Sequence, residues 1–72
     1  MKMRKVVIST LSEEVFEDAV DKIEELGVNI IEKRYELLYH RYEIYAKVTL
    51  RQRYAIRHFL KNRDAYIMEF GV

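Results

Sequence analysis

From Tyr42 to Leu50 the side chains alternate strictly, with Tyr42, Ile44, Ala46, Val48 and Leu50 on one set and Glu43, Tyr45, Lys47 and Thr49 on the other. A two-residue period puts one set on one face only if the backbone is extended, so this segment reads as a strand. Tyr35, Leu37 and Tyr39 alternate likewise, which predicts a second strand over Asn29 to Leu38 and a tight turn at Tyr39, His40 and Arg41. The competing reading is one long helix through Ile31, Tyr35, Leu38, Tyr42 and Tyr45, positions that also recur at three and four residues. The β-branched and tyrosine content favours the hairpin.

The flanking segments change period. Lys5 to Thr10 contains the β-branched run Val6, Val7, Ile8 and reads as a strand closed by Ser9, Thr10 and Ser12. Ser12 is a good N-cap, Thr10 with Glu13 fits a capping box placed slightly earlier, and Glu13 and Glu14 suit the positive end of a helix dipole. Val15, Phe16, Ala19, Val20, Ile23 and Leu26 then form one helical stripe, which Gly27 stops. Arg51 to Lys61 predicts a second helix with Ile56, Phe59 and Leu60 inward and Arg53, Arg57 and Lys61 outward. Asp64 to Val72 predicts a last strand, with Tyr66, Met68 and Phe70 on one face.

The order βαββαβ, folded with right-handed crossovers, implies an α+β ferredoxin-like plait: an antiparallel four-stranded sheet with both helices on one face. One domain spans residues 1–72, since no proline, repeat or linker interrupts it. At the level of fold this resembles ACT and RAM regulatory domains and RNA-recognition motifs. The third strand of the RNA-recognition motif calls for glycine among alternating aromatics, whereas Arg41 to Val48 has no glycine and carries Glu43. The glycine and aspartate turns of ACT and RAM ligand sites are also missing, so the resemblance identifies no family.

A chain of 72 residues buries only about 60% of the surface its unfolded form exposes. With no cysteine to supply a disulfide or a thiolate zinc site, self-association is the common remaining supplement to so small a core. No segment approaches the roughly 20 apolar residues of a membrane span, and no secretory apolar region follows Met1 to Lys5. These features predict a soluble, cytoplasmic protein without a membrane partner. Asn29, Gln52 and Asn62 are the only side-chain amides among many charges, a bias resembling that of thermophile proteins.

Residues that could carry chemistry are few. Ser9, Thr10, Ser12 and Thr49 are the hydroxyls, and His40 and His58 lie far from them in sequence, so no nucleophile is paired with a base. Glu14 with Asp18, and Asp21 with Glu25, bring carboxylates one turn apart, yet a solvated helix face explains them better than a cation site that lacks a loop. The sequence therefore predicts no catalysis, no metal and no cofactor.

Charge gives a stronger signal. Leu11 to Glu32 holds eight acids against Lys22 alone, and Lys33 to Arg63 holds nine bases against Glu36 and Glu43. Arg51, Arg53, Arg57, Lys61 and Arg63 form a candidate surface for phosphate backbones, although the acidic first helix is the nearest available partner for them. On the sheet, Tyr45 and Val7, with either the Tyr66, Met68 and Phe70 set or Ile67 and with part of Tyr35, Leu37 and Tyr39, would leave more apolar surface uncovered than a small monomer normally carries; Tyr35, Leu37, Tyr45, Tyr66, Met68 and Phe70 are the candidate self-association residues. The primary expectation is a non-catalytic module that self-associates as a homodimer through its sheet face or strand edges. Nucleic-acid binding by the basic helix is the alternative, and sensing of a small ligand between subunits a further one.

Overall fold

The computed structural model describes residues 2–70, and of Phe70 only the backbone. It shows β1 (Arg4–Thr10), α1 (Glu13–Glu25), β2 (Ile30–Glu36), β3 (Arg41–Val48), α2 (Leu50–Leu60) and β4 (Ala65–Phe70). The strands form one antiparallel sheet in the order β2-β3-β1-β4. This is the ferredoxin-like plait, and the hairpin replaces the long-helix alternative. Gly71 and Val72, which the sequence reading includes in the last strand, lie outside the described residues.

Each boundary has a local cause. Ser12 caps α1 by accepting the Val15 amide at 3.2 Å, while Thr10 is drawn elsewhere: its hydroxyl donates to the Asp64 carbonyl at 2.5 Å and accepts from the Ser12 amide. The expected capping box from Thr10 to Glu13 is therefore replaced by a clasp between the ends of β1 and β4. Gly27, at φ 77, closes α1 in a Schellman arrangement, its amide bonding to the Glu24 carbonyl and the Val28 amide to that of Ile23. The turn between β2 and β3 runs through Leu37, Leu38, Tyr39 and His40, with His40 in the left-handed region at φ 51.

The second helix begins earlier than its charge pattern suggests. Thr49 is its N-cap in a full capping box with Gln52, so Thr49 and Leu50 belong to the helix start and not to the preceding strand. The Gln52 side chain also donates to the Leu26 carbonyl at 3.4 Å, which ties the start of α2 to the end of α1.

The core lies between the sheet and the helices. Val6, Ile8, Ile44, Ala46 and Val48 of the sheet meet Ala19 and Ile23 of α1 and Ile56 and Leu60 of α2, all within a few per cent of full burial. Among the described residues no helix covers the opposite sheet face.

Candidate interaction surfaces

Cross-strand register decides which side chains reach the uncovered face. In antiparallel pairs, directly opposed residues share a face. Val7 stands between Tyr45 on β3 and Met68 on β4, and Ser9 between Glu43 and Tyr66. These residues therefore share the face away from the helices. Tyr66 is 73% exposed and Met68 52%, whereas Val7 is only 1% exposed. Val7 points outward as the sequence suggests, yet its larger neighbours on both sides close over it.

The two halves of this face differ in kind. Toward β4 it is apolar and open. Toward β2 it is a charged lattice: Arg34 lies 3.0 Å from Glu32 and 5.2 Å from the Tyr45 ring centre, and the Tyr45 hydroxyl donates to Glu43 at 3.1 Å. Arg41 Nε lies 3.4 Å from Glu43 Oε2. Glu43 is buried in this lattice at 8% exposure. Partial burial and the bond to Glu43 raise the pKa of the Tyr45 phenol above its ordinary value.

Two of the sequence-selected association residues lie elsewhere. A register shift between Ile30 and Glu32 moves the alternation of β2 by one residue, so Tyr35 opposes Tyr42 on the helix side of the sheet. There Tyr35 packs on Tyr42 at 4.8 Å between ring centres, Tyr42 packs on Phe16 of α1 at 5.1 Å, and the Tyr35 hydroxyl meets His40 Nδ1 at 3.0 Å. Tyr42 also donates to Glu13 at 3.0 Å, and partial burial together with that carboxylate raises its pKa. Leu37 is in the turn, not on the sheet, and is 73% exposed. The Phe70 side chain lies outside the described residues.

The basic residues of α2 also divide. Arg53 sits at the margin of the buried side of the helix, with Nε 2.9 Å from Glu69 on β4, and Arg4 approaches the same carboxylate at 3.9 Å. Arg63, beyond the helix end, folds back to donate to the Phe59 carbonyl and lays its guanidinium 4.0 Å from the Phe59 ring centre. Arg51, Arg57 and Lys61 remain exposed, and Arg57 and Lys61 line a shallow depression with Tyr54 and His58. Among the described residues no ion pair joins α1 to α2. The acidic helix approaches the basic segment through Lys22 and Arg63, both set against Phe59, in a groove that Asp18, Asp21 and Glu25 also line.

Among the described residues no three His, Cys, Asp or Glu side chains cluster as metal ligands would, and no helix is long and apolar enough to cross a membrane. Another groove, between the end of α1 and the start of β2, is lined by Glu24, Gly27 to Ile31, Glu32 and Lys33.

No protein-family model and no curated protein sequence matches the chain. Among solved structures, it is similar to the uncharacterized protein TM1266 from Thermotoga maritima, at a TM-score of 0.62 and 10% identity over 96% of each chain. At that identity the likeness concerns the fold alone.

Proposed function

We propose that this protein is a non-catalytic module that works by self-association through its sheet. The observation that carries the reading is the β4 half of the uncovered face, where Tyr66 and Met68 stand 73% and 52% exposed beside Tyr45 and Val7. Tyrosine and methionine are enriched at protein interfaces, and a second copy that covers part of this patch gains roughly 25 cal/mol per Å² of apolar area removed from water. A core as small as this one gains most from such burial. Analytical ultracentrifugation across micromolar concentrations tests the reading: a concentration-dependent dimer is expected, and a monomer at every concentration overturns it.

A second reading rests on the exposed α2 surface. Arg57, His58 and Lys61 share one depression with Tyr54, which offers two permanent cations and an aromatic ring to a nucleic-acid strand. With Arg53 held by Glu69, fewer cations are free than the sequence stripe promises. Filter binding of single- and double-stranded probes at low salt tests it. Retention that Arg57→Ala with Lys61→Ala abolishes supports this reading, and undetectable retention removes it.

A further inference from the structure

The sheet ends in two edge strands, β2 and β4, and they are built differently. An edge strand presents unpaired N–H and C=O groups to any other chain, and proteins that remain monomeric blunt such edges with charges and bulges. β2 carries both devices: Glu32, Lys33, Arg34 and Glu36 occupy four of its seven positions, and its ladder is irregular between Ile30 and Glu32. β4 carries neither. Its sequence AYIMEF has one charge in six residues, no proline or glycine, and an unbroken register with β1 from Ala65 to Phe70.

Resting on the self-association reading, we infer that the edge of β4 is the interface, and that two copies pair their β4 strands antiparallel into one continuous eight-stranded sheet. Opposed residues must share a face, so the allowed registers place even-numbered positions opposite even-numbered ones. A two-fold axis at Ile67 satisfies this and sets Tyr66 of one copy opposite Met68 of the other, twice. The same register sets Glu69 opposite Ala65, so no like charges meet across the junction. A two-fold axis at Glu69 would oppose the two glutamates directly and is disfavoured. In the Ile67 register the exposed Tyr66 and Met68 of one copy pack across the junction against Met68 and Tyr66 of the other, so each covers part of the other's apolar surface. Both α2 helices stay on the other face of the joined sheet, so they do not block the pairing.

Residue-resolved amide hydrogen exchange tests this, compared at protein concentrations above and below the dimer midpoint set by ultracentrifugation. Alternate amides within Ala65–Phe70, those directed outward, should slow by at least about 10-fold on association, while the amides of Ile30–Glu36 stay unchanged. A dimer that protects β2, or that leaves β4 unchanged, overturns the edge assignment and leaves self-association standing. A monomer at all concentrations overturns both. Paired variants give a second readout. Met68→Lys should weaken the dimer at least about 10-fold and Ile31→Lys on β2 should leave it within about 2-fold, with circular dichroism verifying that both fold. The reverse order of effects would overturn the proposal.

Discussion

The Arg53 guanidinium lies 2.9 Å from the Glu69 carboxylate, joining the buried margin of α2 to the outer strand β4. Sixteen residues separate the pair, and Arg4 reaches the same carboxylate at 3.9 Å from the neighbouring strand β1. A residue that in the sequence heads an outward basic stripe is thus a fastener between helix and sheet. Both side chains remain partly solvated, at 19% and 29% exposure, so the pair is worth about 1 kcal/mol or less. Arg53→Ala and Glu69→Ala are each expected to lower the melting temperature by up to about 8 °C. A double-mutant cycle by urea unfolding should return a coupling energy of about 0.2–1 kcal/mol that shrinks in high salt.

Ile23 is fully buried between α1 and the sheet, whereas Leu38 projects from the β2–β3 turn at 76% exposure. Ile23→Ala should cost about 2–5 kcal/mol through lost burial and an unfilled cavity. That is a large share of a total stability on the order of 4–11 kcal/mol for this length. Leu38→Ala should stay within about 0.5 kcal/mol. Chemical denaturation of the two variants under one condition checks the contrast.

At the start of α2, the Thr49 hydroxyl accepts the Gln52 amide at 3.2 Å, and Gln52 returns a bond to the Thr49 amide while also reaching the Leu26 carbonyl. Thr49→Ala should cost about 1 kcal/mol, the usual loss of an N-cap. Gln52→Ala should cost at least as much, because it releases the tie between the two helices as well as the cap. Thermal unfolding by circular dichroism measures both, and a neutral Gln52→Ala would remove the role assigned to that tie.

Tyr42 and Tyr45 hold their phenolic protons more tightly than free tyrosine, owing first to partial burial and then to their bonds to Glu13 and Glu43. A group whose pKa is raised by folding stabilises the native state fully below its unfolded value, about 10 for tyrosine, and that contribution is lost as pH rises through the folded value. Stability should therefore fall above about pH 10, and the phenolate absorbance titration should show a late component. Tyr42→Phe and Tyr45→Phe should each shrink that component.

Legibility varied with the range of the interaction involved. The α1 helix is written locally, in Ser12, the apolar stripe and Gly27, and it forms where those residues place it. The α2 helix starts at Leu50, one residue before the Arg51 that the alternation suggests, because Thr49 continues the period of β3 while its capping box with Gln52 sets the helix start. The side on which Tyr35 falls was hidden by the irregularity near Ile31, since a one-residue slip reverses every later side chain of a strand. The burial of Val7 depends on Tyr45 and Met68 from two other strands, and no local period contains them.

By itself, then, the sequence determined the order of elements and the plait they make, because hydrophobic period, caps and turns act between residues a few positions apart. Only the tertiary structure decided which cations stay free, which aromatics line the uncovered face and which edge of the sheet is left unguarded. Those properties belong to pairs such as Arg53 with Glu69 and Val7 with Met68, whose partners are distant in the chain and meet only when strand register is set.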